Sequence, residues 1–123
     1  MPTLLVVDDE PSVLRFVAGA MSRHGWTVEQ ASTVDEALDF ARRQPVDVAL
    51  CDVVMPRRGG PEFVSGIREL SNGVVPVVLM SGAAVATKPA GGPCWGTRPV
   101  LLQKPFTIRE LAATLERALP SYE

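Results

Sequence analysis

This chain is short of the features that mark secreted, metal-finger and nucleic-acid-binding proteins. It has two cysteines, Cys51 and Cys94. They are too few and too far apart for a disulfide framework or a CxxC metal site. It has one histidine, His24, placed near an expected helix end, where it suits the helix dipole better than catalysis. It lacks a Lys/Arg run: Arg42-Arg43 and Arg57-Arg58 are only pairs, and the formal charge is -2. That argues against direct nucleic-acid binding. It also lacks a long apolar run. The most apolar region, 74–86, is too short to cross a bilayer and is broken by Pro76, Ser81 and Gly82. The start, "MPTLLVVDD", has no basic residue and soon meets acid, so no secretory signal is expected. There is no internal repeat and no low-complexity linker. One domain over 1–123, cytoplasmic and without a membrane partner, is the expectation.

What is present alternates strand and helix. "TLLVV" (3–7) reads as a strand buried on both faces. Residues 10–25 follow as a helix. Val13, Leu14, Val17 and Met21 form its stripe, Pro11 suits its first turn and Gly25 its stop. A weaker strand spans 26–31. Thr33-x-x-Glu36 is a capping-box pattern that opens a helix running to Pro45. Strand three is 46–52, helix three 60–70, strand four 74–81 and strand five 99–103. Thr107-x-x-Glu110 opens the last helix, with Ile108, Leu111, Ala112, Leu115 and Leu119 on one face. Repeated β-α units predict an α/β fold, a doubly wound parallel sheet with helices on both faces. Sites in such sheets lie just beyond the carboxyl ends of the strands.

Four of those ends carry polar groups. Strand one ends in Asp8-Asp9, strand three in Asp52, strand four in Ser81, and strand five runs into Lys104. Two unit charges about 4 Å apart repel by about 4 kcal/mol at an effective dielectric of 20, so a partly buried Asp pair needs a cation. Three carboxylates are a ligand set that Mg²⁺ favours. A metal, a lysine and a hydroxyl around a carboxylate make a phosphoryl-binding site, in which the carboxylate can itself be the nucleophile. Each residue alone is bland; an isolated Asp-Asp pair is more often a helix entry.

The segments "VVDDEP" (6–11), "DVVMPRRGG" (52–60), "MSG" (80–82) and "QKPF" (103–106) together resemble the response-regulator receiver domains, the CheY-like group. The resemblance covers nearly the whole chain. It implies a flavodoxin-like five-stranded sheet of order 2-1-3-4-5. It implies that Asp52 accepts a phosphoryl group, and that Asp9, Asp52 and the backbone carbonyl of Val54 hold Mg²⁺ directly, with Asp8 acting through water. Lys104 would pair with the acceptor, and Ser81 would move toward the phosphoryl group. It further implies a cis Lys104-Pro105 peptide and a loop shaped by Met55-Pro56 and Gly60. The donor would be a histidine kinase or a histidine phosphotransfer protein. The output partner is left open, and so is a homodimer.

Three features depart from the family. Between strands four and five, Pro89, Pro93 and Pro99 stand with Gly91, Gly92 and Gly96. Interior proline costs a helix about 3 kcal/mol and glycine about 1, so the fourth family helix is expected to be short or missing. Leu101 stands where the family often has an aromatic ring. Val54 and Ala83 are apolar where polar side chains can position a water.

The leading expectation is a phosphorelay receiver, not a turnover enzyme. With no output domain in the sequence after Glu123, a stand-alone receiver or the receiver of a hybrid sensor kinase is the expectation. A degenerate receiver that serves as a binding module is the alternative. An aspartyl-phosphate phosphatase of the haloacid dehalogenase type is a weaker one. That class has an Asp two residues after its nucleophile, where this chain has Val54, and the chain has no room for a substrate cap.

Overall fold

The computed structural model describes residues 1–55, 59–82 and 100–119. Its elements in order are β1 (Thr3–Val7), α1 (Pro11–Ser22), β2 (Thr27–Ala31), α2 (Val34–Arg43), β3 (Val48–Asp52), α3 (Gly60–Ser71), β4 (Val77–Ser81), β5 (Val100–Gln103) and α4 (Ile108–Ala118). The segment between strands four and five, where the fourth family helix is expected to be short or missing, lies outside the described residues, as do Ala83 and Cys94 within it.

All strand pairs are parallel, and the order is β2-β1-β3-β4-β5. This is the doubly wound sheet that the alternation predicts. β1, β3 and β4 are Leu/Val-rich and almost wholly buried, as strands covered on both faces must be. Side chains alternate between the two faces. Leu4, Val6, Leu50, Val78 and Met80 pack with Leu14, Val17, Met21, Leu111 and Leu115 under α1 and α4. Leu5, Val7, Ala49, Cys51 and Leu79 pack with Leu38, Phe63, Val64 and Ile67 under α2 and α3.

The caps follow the sequence. Thr33 Oγ1 accepts from Glu36 N at 3.0 Å and Thr107 Oγ1 from Glu110 N at 3.0 Å. The Glu110 carboxylate returns the bond to Thr107 N at 2.8 Å. In α2 the Glu36 carboxylate instead accepts from Ser32 N, one residue earlier, at 2.8 Å. His24 Nδ1 donates to the carbonyl of Ala20 at 2.9 Å. This satisfies an end-of-helix carbonyl, as its position predicts.

Some boundaries differ from the sequence reading. β4 begins at Val77 rather than 74. Val74 N and Val75 N bond back to Ser71, and Pro76 has no N–H to give to a ladder. β3 begins at Val48 rather than 46. Asp47 uses its carboxylate to accept from Thr3 N at 2.7 Å, outside the regular ladder. α1 ends at Ser22, and the chain turns through Gly25 at φ +88° before Trp26 enters the core. Ile108 is 39% exposed rather than part of the core stripe, because it lies in the first turn, ahead of the buried Leu111 and Leu115.

Candidate functional site

A parallel sheet brings every strand's carboxyl end to one edge. Here that edge carries Asp8 after β1, Asp52 at the end of β3, Ser81 at the end of β4 and Lys104 after β5. The four residues named from the sequence are therefore neighbours.

Asp8 and Asp52 are held in the same way. Asp8 Oδ1 accepts from the backbone N–H of Glu10 at 2.9 Å, and Asp52 Oδ1 accepts from that of Val54 at 3.1 Å. Each is an i to i+2 turn of the kind that aspartate makes readily. The second oxygen of each carboxylate faces one ammonium group. Lys104 Nζ donates to Asp52 Oδ2 at 3.0 Å and to Asp8 Oδ2 at 3.3 Å. The sequence reading paired Lys104 with the acceptor but did not give it Asp8 as a second partner.

Burial orders these groups. Asp8 is fully enclosed, while the side chains of Asp52 and Lys104 are 14% and 22% exposed. Burial pushes the Asp8 carboxyl above the usual range, and the negative charge of Asp52 adds to this. The Glu10 N–H and the charge of Lys104 pull the other way without cancelling it. Burial works against the charge of Lys104. The hydrogen bond to Asp52 and the fields of Asp8 and Asp52 outweigh it, so the ammonium is held more firmly than usual. Burial likewise pushes the Cys51 thiol strongly up, and the charges of Asp52 and Asp8 reinforce that. Cys51 is a small core residue whose thiol donates to the carbonyl of Asp52 at 3.2 Å.

Asp9 is exposed beside this pair. One carboxylate oxygen from each of Asp8, Asp9 and Asp52 lies within 4.8 Å of the other two. Such an all-oxygen set fits a hard divalent cation that keeps some of its waters, and receiver domains bind Mg²⁺ at an acidic pocket of this kind.

The backbone braces the edge. Lys104 N donates to the carbonyl of Ser81 at 2.7 Å, so β4 and β5 stay paired to the end of the sheet. The Lys104-Pro105 peptide is cis, as the resemblance implies. Val53 N donates to the carbonyl of Met80, and Gly60 N to the carbonyl of Val53 at 3.0 Å. A Cβ on Gly60 would meet Val53 Cα at 3.2 Å and Leu79 Cδ2 at 3.3 Å. This close approach explains the glycine that begins α3 beside the loop after β3. Met55 is buried in the α2–α3 layer, and Val54 is 77% exposed. Pro56 lies outside the described residues. Among the described residues no helix is long and apolar enough to cross a membrane.

Comparison with known proteins agrees with this geometry. Residues 4–116 match the family model "Response regulator receiver domain". The chemotaxis protein CheY4 of Vibrio cholerae superposes with a TM-score of 0.88 at 33% identity, covering 97% of this chain and 99% of that one. The probable transcriptional regulatory protein TcrX of Mycobacterium tuberculosis is 34% identical over 117 residues, which is 95% of this chain and 49% of TcrX. The KDP operon transcriptional regulatory protein KdpE of Escherichia coli is 32% identical, over 97% of this chain and 52% of KdpE. The chain thus spans about half the length of these curated relatives. From the order of its strands to the match along 4–116, the chain belongs to the response regulator receiver domain family.

Proposed function

We propose that this receiver takes a phosphoryl group onto Asp52 from a histidine kinase or a histidine phosphotransfer protein, and that the modified surface changes partner binding. The observation that carries this reading is Lys104 Nζ at 3.0 Å from Asp52 Oδ2. It places a fixed positive charge beside the one edge carboxylate that is neither fully enclosed nor fully exposed.

Asp52 Oδ1 is fixed by the N–H of Val54. An Asp52 oxygen attacks the phosphorus of a phosphohistidine. The new O–P bond forms as the P–N bond breaks, and the electron pair leaves with the imidazole nitrogen, which takes up a proton. Lys104 moves from its carboxylate partner to the phosphoryl oxygens, where negative charge gathers. Asp9, Asp52 and the carbonyl of Val54 are the residues that would hold Mg²⁺, with Asp8 one water further out. The ion supplies neutralisation of the carboxylate and phosphoryl charges. Ser81, at the end of β4, offers its hydroxyl to the phosphoryl group.

Nothing in this reading requires turnover of a small substrate, so the chain is a phospho-acceptor rather than an enzyme in its own right. Val54 stands where a dehalogenase-type phosphatase would need its general acid. One observation favours weakened output instead: Leu101, 43% exposed on β5, has no ring to swing inward.

The test is intact mass after incubation with acetyl phosphate or phosphoramidate and Mg²⁺. A single phosphoryl adduct that requires Mg²⁺ and is absent in Asp52→Asn is the expected result. A folded, Mg²⁺-binding chain that takes no adduct would leave only the binding-module reading.

A further inference from the structure

The chain leaves β3 at Asp52 and enters α3 at Gly60. The stretch between them carries the carbonyl of Val54, the one main-chain group in the proposed Mg²⁺ set. Val53 is fixed at both of its backbone polar atoms. Its N–H donates to the carbonyl of Met80 on β4 at 2.9 Å, and its carbonyl accepts from Gly60 N at 3.0 Å. Val54 comes next, with its N–H on Asp52 Oδ1 at 3.1 Å. Met55 follows, its side chain buried in the α2–α3 layer. The Val54 carbonyl therefore lies between two anchored residues.

The far end of this loop is held by a side chain. Gly59 is the N-cap of α3. A cap residue usually supplies an oxygen of its own, and glycine has none to give. Glu62 Oε1 instead accepts from Gly59 N at 2.9 Å. This is the half of a capping box that the third helical residue makes alone. Gly59 also sits close over Val53: a Cβ on it would meet the Val53 carbonyl oxygen at 3.1 Å. The N–H of the next residue, Gly60, binds that same oxygen. Glu62 thus holds Gly59, the two glycines close on Val53, and Val53 leads directly into the Val54 carbonyl.

We propose that Glu62 is a positioning residue for the divalent cation. Acting through Gly59 and Val53 rather than by contact with the ion, it fixes the direction of the Val54 carbonyl and so the preference of the site for Mg²⁺ over Ca²⁺. This rests on the reading that Asp9, Asp52 and the Val54 carbonyl hold Mg²⁺. Mg²⁺ demands near-ideal octahedral geometry, whereas Ca²⁺ accepts a looser and more variable shell of oxygens. A carbonyl free to turn therefore costs the smaller ion more. Loss of the Glu62 charge by itself weakens both divalent ions alike, so the ratio of the two affinities isolates the geometry.

Isothermal titration calorimetry of the full chain with Mg²⁺ and, separately, with Ca²⁺ tests this. Glu62→Ala is expected to bind Mg²⁺ about tenfold more weakly, the lower end of what loss of a supporting partner costs a metal site. Its Ca²⁺ affinity should fall no more than about threefold. Glu62→Gln keeps an acceptor for Gly59 N and should retain the wild-type ratio. Glu110→Ala is the control for capping. It removes the same kind of carboxylate bond to an N-cap N–H, at Thr107 of α4, and should lower stability to urea while leaving the ratio unchanged. A ratio unmoved in Glu62→Ala, or moved as far in Glu62→Gln or Glu110→Ala, would overturn the proposal. A wild type that binds neither ion overturns it together with the reading of the metal site. A wild type whose Mg²⁺ binding is lost in Asp9→Ala, with a ratio indifferent to Glu62, overturns this inference alone. None of these readouts depends on phosphorylation of Asp52.

Discussion

Lys104 Nζ lies 3.0 Å from Asp52 Oδ2, although the two residues are 52 positions apart in the chain and stand at the carboxyl ends of β5 and β3, with β4 between them. The same ammonium reaches Asp8. One cation thus spans three strand ends, and its removal leaves two carboxylates facing each other. Lys104→Ala is expected to slow phosphorylation by phosphoramidate about 100-fold, the usual loss when one charge-stabilising donor is removed. Lys104→Arg should not restore the rate, because a planar guanidinium cannot take the place of a compact ammonium here. Stopped time courses read by intact mass measure both.

Asp8 gives the site a pH dependence whose sign is fixed by burial. Its folded value is raised, so the native chain holds this proton more tightly than the unfolded chain. Its contribution to stability is therefore fully present below the ordinary carboxylate value and is lost as pH rises through the raised folded value. Asp8→Asn should be more stable than the wild type at pH 7 in chelator, with the gap closing toward about pH 4. Urea melts across that range measure it. Mg²⁺ at about 100 times its dissociation constant should add about 2.7 kcal/mol to the wild type, and Asp9→Ala should lose most of that gain.

On the proposal that Asp52 takes the phosphoryl group, Val54 is expected to set what water meets there. Its side chain is 77% exposed, and its backbone N–H fixes Asp52. An isopropyl group cannot hydrogen-bond an attacking water, so the phosphoryl group should leave slowly. Val54→Asn should shorten the lifetime several-fold without changing the extent of Mg²⁺-dependent phosphorylation. A wild-type lifetime of seconds in Mg²⁺ would refute this.

Gly66 is a packing residue. Gly66→Ala gains about 1 kcal/mol of helix propensity but presses a methyl into Leu38, an overpacking that costs about 1–3 kcal/mol. A net loss of about 1 kcal/mol is expected. In Gly66→Ala/Leu38→Ala the alanine at 66 should cost less than it does alone, and chemical denaturation in a double-mutant cycle measures that coupling.

The sheet was legible because β1, β3 and β4 are almost unbroken apolar runs and two of its helices carry caps at Thr33 and Thr107. The site was legible because polar residues follow those runs directly, and a parallel sheet leaves no other place for Asp8, Asp52, Ser81 and Lys104 to go. What the sequence hid was contact between distant segments. The double engagement of Lys104 depends on β5 lying beyond β4, and no local pattern encodes that. The late start of β4 was hidden for a related reason: Val74 and Val75 look like strand, yet Ser71 claims their N–H groups. The seating of Gly66 on Leu38 is equally invisible until two helices are laid side by side.

The sheet also works as a partition. The side chains above it, under α1 and α4, and those below it, under α2 and α3, form two separate clusters. Each half-core can therefore be rewritten by mutation with little reference to the other. What the two halves share is the rim where the strands stop. Drift in the hydrophobic interior is thus insulated from itself, while the few charged residues on that rim answer to both sides at once.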